Sequence, residues 1–120
     1  MPAILRSALP ALCLALLSTA SVQAERDPIR LTHGPMLGKP TAHSMVVWGR
    51  TSDAGEFVVH YGTTEGKLDQ VSEPAHTTSG HDNTGQTQLK KLKSDTRYYY
   101  QVFVNERPHG LPGTFQTLPS

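Results

Sequence analysis

Cysteine is almost missing from this chain of 120 residues: Cys13 is its one thiol, and it sits within an N-terminal apolar run. A disulfide framework is therefore excluded, and whatever folds must be held by its core alone. Long hydrophobic runs are missing too. Ala8 to Leu17 is apolar, but a membrane-spanning helix needs about 20 such residues. There is no surplus of charge either, since eleven Lys/Arg stand against ten Asp/Glu and one of the eleven is Arg6 near the start. That balance leaves no basic stripe for nucleic acid and no polybasic patch for anionic lipid. Lys90, Lys91 and Lys93 do cluster, but beside a turn, where solvated lysines are ordinary. The chain also lacks a Gly-x-Ser-x-Gly nucleophile elbow, and Gly34-x-x-x-Gly38 lacks the Lys-Ser/Thr of a phosphate-cradling loop.

What is present begins with a secretion address. Met1 to Arg6 is short with one positive charge, Ala8 to Leu17 is apolar, and Ser18 to Ala24 ends in small residues. Val22 and Ala24 stand at the −3 and −1 positions of a cleavage site, so residues 1–24 read as a signal peptide and residues 25–120 as one modest domain. Leu12, just before Cys13, is bulky where lipid-attachment sites use a small residue. No membrane anchor is expected after cleavage, and the mature chain is expected to be secreted or periplasmic and free of cysteine.

No helical period of useful length occurs after the leader. Alternation with a period of two does occur, between clusters of Gly, Pro, Asn, Asp and Ser. Its strongest instance is Leu92 to Val104, a turn feeding a strand on which Tyr98, Tyr100, Val102 and Val104 share one face. The spacing predicts further strands over Ile29–Thr32, Ser44–Arg50, Phe57–Tyr61, Gln86–Leu89 and Gly113–Leu118. Leu68 to Thr78 is demoted by Pro74 to an edge strand or extended loop. Residues 33–40 and 106–112, rich in glycine and proline, are expected to be loops. About seven short strands make an all-β, immunoglobulin-like antiparallel sandwich. The expected core is Val46, Trp48, Phe57, Val59, Tyr61, Leu89, Leu92, Tyr98, Tyr100, Val102, Val104 and Phe115.

Leu92-x-x-x-Thr96-x-Tyr98 before an alternating strand, with Trp48 on an earlier strand, resembles the fibronectin type III sandwich. The resemblance implies a corner in which the Tyr98 hydroxyl bonds back to the backbone, with a carbonyl a few residues away as the expected partner. A narrower likeness is carried by Gly34-Pro35-Met36-Leu37-Gly38, Val46-Val47-Trp48-Gly49-Arg50-Thr51, Tyr61-Gly62-Thr63, Leu92 through Tyr100, and Gly113 through Pro119, taken in that order. Together they are similar to the N-terminal domain of PhoD-type alkaline phosphatases, and to its counterpart in purple acid phosphatases, over roughly residues 29–120. That likeness implies a metallophosphoesterase catalytic domain as partner, normally on the same chain, with divalent metal ions as its cofactor. The ligand motifs of that domain are of the Asp-x-His, Gly-Asp-x-x and Gly-Asn-His-Asp/Glu type, and none occurs here. The expected site is accordingly empty of catalytic and metal-binding residues. The role expected is a non-catalytic module that braces or shapes access to a catalytic domain. A free-standing secreted binding module for a protein or glycan is the alternative.

Two features remain as candidates on the residues alone. His33, His43, His60 and His109 are scattered, whereas His76, His81 and Asp82 lie within one loop, close enough in sequence to form a hydrated metal site. The outward side of the strand after the corner carries Tyr99, Gln101 and Phe103. Aromatics on an outward face ask for a cover, so these three form the expected docking face.

Overall fold

The computed structural model describes residues 27–120; the expected signal peptide and its cleavage site lie outside the described residues. Eight strands are found among those residues: β1 Leu31–Gly38, β2 Met45–Thr51, β3 Gly55–Gly62, β4 Gln70–Val71, β5 Ala75–Thr77, β6 Thr84–Leu89, β7 Arg97–Val104 and β8 Arg107–Gln116. A 3-10 turn, Ser79–His81, precedes β6. The strands form two antiparallel sheets, one ordered β1-β2-β6 and the other β4-β3-β7-β8 with β5 also paired to β3. This is the all-β sandwich that the alternation predicts, with its core between the two inner faces.

The inner face of the larger sheet is aromatic. Phe57, Val59 and Tyr61 come from β3, Tyr98, Tyr100, Val102 and Val104 from β7, and Phe115 from β8, all buried. Tyr98 stacks on Phe115 with ring centroids 5.5 Å apart. Opposite them, β2 turns Met45, Val47 and Thr51 inward and leaves Val46 and Trp48 half-buried on the outward side. This reverses the parity expected for β2, in which Val46 and Trp48 were to face the core. The physical reason is volume. The larger sheet fills the interior with rings, so the smaller sheet contributes small and medium side chains. At Gly49 even a Cβ would lie 3.2 Å from the Phe57 ring. An indole on that side has nowhere to go in a close-packed core.

β1 and β8 are longer than the sequence spacing predicts. The Gly/Pro stretch 33–38 is strand rather than loop, joined to β2 through register shifts at Leu31/His33 and His33/Met36. Gly34 sits there at φ 98, and a Cβ on it would meet the Trp48 carbonyl oxygen at 2.9 Å, so only glycine lets the two strands approach so closely. β8 likewise begins at Arg107, because Asn105 and Glu106 adopt φ 50 and φ 65 and make a two-residue hairpin turn with β7. Opposite Gln101 the β8 register jumps from Gly113 to His109. Residues 110–112 bulge out of the ladder.

Candidate functional site

The corner ahead of β7 is built as a small hydrogen-bonded knot. The Lys93 amide donates to the Tyr98 hydroxyl at 2.9 Å, so the corner partner is an N–H rather than the expected carbonyl. Thr96 caps the turn, its hydroxyl donating to the Ser94 carbonyl at 2.7 Å and its amide to Thr117 Oγ1 at 2.9 Å. Thr117 Oγ1 in turn donates to the Lys93 carbonyl at 2.6 Å. Leu92, buried beneath the knot, donates its amide to the His43 carbonyl at 2.9 Å, and His43 Nδ1 lies 2.8 Å from the Leu92 carbonyl. A carbonyl only accepts, so that His43 nitrogen carries the proton. The corner residues Leu92, Thr96 and Tyr98 therefore form one structural unit, Tyr100 meets it through Phe115 with ring centroids 5.9 Å apart, and Trp48 stands apart on the outward side of the other sheet.

Burial of the phenols has an electrostatic consequence. Desolvation, then the neighbouring Tyr98 phenol, pushes the Tyr61 hydroxyl above its ordinary pKa, and burial alone does the same to Tyr100. These groups stay neutral through the physiological range. They are structural phenols.

The three residues of the metal candidate part company in the fold. His76, on β5, points its Nδ1 at Glu56 Oε2, 3.4 Å away; His81 Nδ1 is 3.0 Å from Thr78 Oγ1; Asp82 Oδ1 accepts from Arg50 Nη2 at 2.9 Å. Among the described residues no group of three or more His, Cys, Asp or Glu is arranged to hold a metal ion. The expected loop cluster is replaced by three separate pairs. The pair of divalent ions implied by the family resemblance does not fit the donors present among the described residues.

The three residues of the expected docking face divide differently. Gln101 is 8% exposed, and its Nε2 donates to the His109 and Gly110 carbonyls at 3.0 and 2.9 Å, sealing the β8 bulge. It serves this domain's own backbone. Tyr99 and Phe103 are half-buried on the outward side. The Phe103 ring stacks on the His60 imidazole with centroids 3.9 Å apart and planes at 21°. This stack, with Glu56, Val58 and Glu106, borders a hollow of about 270 Å³. Tyr99 borders a second hollow of about 460 Å³ with Glu65, Leu68 and Pro112. Val71, paired beside His60 on β4, is 56% exposed and extends the face sideways.

A second outward face, on β2, carries Val46 and Trp48 where Met45 and Val47 were expected. Antiparallel pairing sets Met36, Trp48 and Gln86 in one row across β1, β2 and β6, with Gly38, Val46 and Gln88 in the next. Met36 is 60% exposed. The parity error on β2 hid this face, because it sent Trp48 to the core. The exposed glutamines opposite it on β6 were the signal that the indole faces outward with them.

A family model described as the N-terminal domain of PhoD-like phosphatases matches residues 17–119. Among solved structures, PhoD superimposes with a TM-score of 0.60 at 16% identity, over 78% of this chain and 19% of that one. The chain thus spans about a fifth of that protein. The sensor domain of the anti-sigma factor RsgI4 of Pseudobacteroides cellulosolvens gives a TM-score of 0.56 at 20% identity, over 80% of this chain and all of that short domain. A computationally redesigned β-sandwich protein gives 0.51 at 15%, over 79% of this chain and 98% of that one. No match was found among curated proteins. At these identities the structural likenesses speak for the fold alone.

Proposed function

The chain belongs to the family of PhoD-like phosphatase N-terminal domains, and from that premise we propose that it acts as a non-catalytic β-sandwich module of a secreted metallophosphatase. The module braces a metallophosphoesterase catalytic domain or shapes access to it. The observation that carries the reading is the family match over residues 17–119 on a chain whose chemistry-bearing side chains pair off singly instead of converging. Hydrolysis of a phosphate ester needs two metals about 3.5–4 Å apart, or some other convergent set of donors. His76, His81 and Asp82 instead reach Glu56, Thr78 and Arg50 respectively.

In this reading the catalytic domain packs on the outward side of the larger sheet, against Tyr99 and Phe103. Half-buried aromatics with a histidine stacked on one of them supply flat contact area with little side-chain entropy left to lose. In the same reading residues 1–24 act as a signal peptide, and the module works outside the cytoplasm, in the periplasm or beyond the cell. Cleavage after Ala24 would make Glu25 the first residue of the secreted form, which N-terminal sequencing reads directly.

The activity claim is tested by incubating the purified chain with phosphomonoester and phosphodiester substrates and divalent metals. No turnover is expected. Turnover that survives removal of contaminating phosphatase would sink the proposal. The DNA after codon 120 is a second test: Asp-x-His and Gly-Asn-His-Asp/Glu coding in frame supports the shared-chain partner, and unrelated sequence argues against it.

A further inference from the structure

We propose that the outward face of the smaller sheet, centred on Trp48, is a binding platform for a neutral pyranose glycan. The site stands on its own geometry and does not rest on the phosphatase reading. Trp48 lies in the middle strand, half-buried, with Met36 on one side and Gln86 on the other. The indole borders an open cleft of about 490 Å³ whose other walls include Pro74, His76, His81 and Gln86. Gln86 also borders the neighbouring hollow of about 350 Å³, together with Val46 and Gln88. The two hollows therefore form adjacent subsites along β6, one with a ring in it and both edged by amide side chains.

Three observations say what this face recognises. The first is the ring. An indole face is electron-rich, and it attracts the polarised C–H groups of a sugar's apolar side, as a flat apolar patch would not. The second is the set of polar groups around it. Among the described residues neither glutamine amide has a protein hydrogen-bond partner, nor does the Trp48 indole N–H. Both imidazoles are held at Nδ1, His81 against Thr78 Oγ1 and His76 against Glu56, which leaves each Nε2 free. Glutamine offers a donor and an acceptor side by side, the pattern that vicinal hydroxyls match. The third is charge. The Arg50 guanidinium near the cleft is tied to the Asp82 carboxylate at 2.9 Å, and the Lys39 ammonium borders the second hollow but not the cleft beside the indole, so no unpaired lysine or arginine lines the ring subsite to select a phosphate or a uronic acid there. An apolar protein surface is the poorer occupant. It would strip water from two amides and return no hydrogen bonds, at a cost for each group left unpaired.

The chain contains one tryptophan, so its emission reports on this face without labelling. The experiment titrates the purified chain with cellohexaose, xylohexaose and chitohexaose into the millimolar range. A saturable change in Trp48 emission with at least one of them is expected. Gln86→Ala is expected to weaken that titration about tenfold, the worth of one lost hydrogen bond to a sugar hydroxyl, with an unaltered melting temperature. Trp48→Phe, followed by backbone amide NMR shifts, keeps a ring and should retain part of the binding. Emission indifferent to all three sugars overturns the proposal. So does binding that Gln86→Ala and Gln88→Ala both leave intact. Emission that moves with protein concentration instead would give the face to a second copy of this chain, and that result also overturns it.

Discussion

Tyr98 carries two roles at once: its ring stacks on Phe115 and meets Tyr61 at a tilt, and its hydroxyl accepts the Lys93 amide. Tyr98→Phe keeps the first and removes the second, so it should cost about 1 kcal/mol in urea unfolding, and more if the Lys93 N–H is left without water. An unchanged midpoint would show that the corner bond contributes nothing. The buried phenols also make stability fall at high pH. For Tyr61 and Tyr100 the folded pKa lies above the ordinary value of 10 that the unfolded chain shows. Their contribution is thus fully present below about pH 10 and is lost as the pH rises through the folded values, since the unfolded chain gives up its protons first. Unfolding midpoints measured from pH 8 to pH 11 should decline above 10. Tyr61→Phe and Tyr100→Phe should each make that decline shallower. At this scale the sequence was most legible where a residue's chemistry is local. The fibronectin-type-III resemblance carried by Leu92, Thr96 and Tyr98 implied the corner, while the direction of its hydrogen bond depends on where the turn leaves an amide and could not be read from spacing.

At the scale of the strand, parity decides everything, because a shift of one residue exchanges the two faces. On β7 the sequence resolved it, since large residues on one side alternate with Arg97, Tyr99, Gln101 and Phe103 on the other. On β2 both sides are apolar, and hydrophobicity alone could not choose between Val46/Trp48 and Met45/Val47. The choice is made by the facing sheet, whose rings leave room for Val47 at zero exposure and for Gly49 against Phe57. Val47→Ala should therefore destabilise by roughly 2 kcal/mol, through two lost methyl groups and a residual cavity, and Val46→Ala by less than half as much. Equal losses in thermal unfolding would contradict the observed faces. The lengths of β1 and β8 were hidden for a different reason. Glycine and proline mark turns in most settings, but at a sheet edge they also permit bulges. Gln101→Ala probes one such bulge. It leaves the His109 and Gly110 carbonyls without their donor and should cost about 1–3 kcal/mol.

For the molecule as a whole, the sandwich has an apolar interior and two outward faces that differ in character. Tyr99, Phe103 and His60 make one of them, and Trp48 with the β6 glutamines makes the other. Replacing both Tyr99 and Phe103 by lysine should shift the stability of the chain by only about 1 kcal/mol, since half-exposed side chains have little burial to lose. Val102→Lys on the same strand would put a charge in the core and abolish folding. A double lysine variant that fails to fold would mean that the face belongs to this domain's own core. The first face was visible in the sequence as aromatics on the wrong side of an alternating strand. The second was not, because its recognition depended on settling which way β2 points.

The two bulged strands have one further bearing, on how such a chain survives without disulfides. β1 and β8 lie at the ends of their sheets, where a regular strand would offer its free amides and carbonyls as a template to the next molecule. Pro35 interrupts the row of amides on β1, Pro108 and Pro112 interrupt it on β8, and the residues at 110–112 buckle out of line. An incoming strand would find gaps and a kink where it needs a straight ladder. The irregularities that made these segments read as loops also break the straight ladder that fibrous assembly needs. Ironing them out, with Pro108→Thr and Pro112→Thr together, would leave the fold standing and make it prone to aggregate.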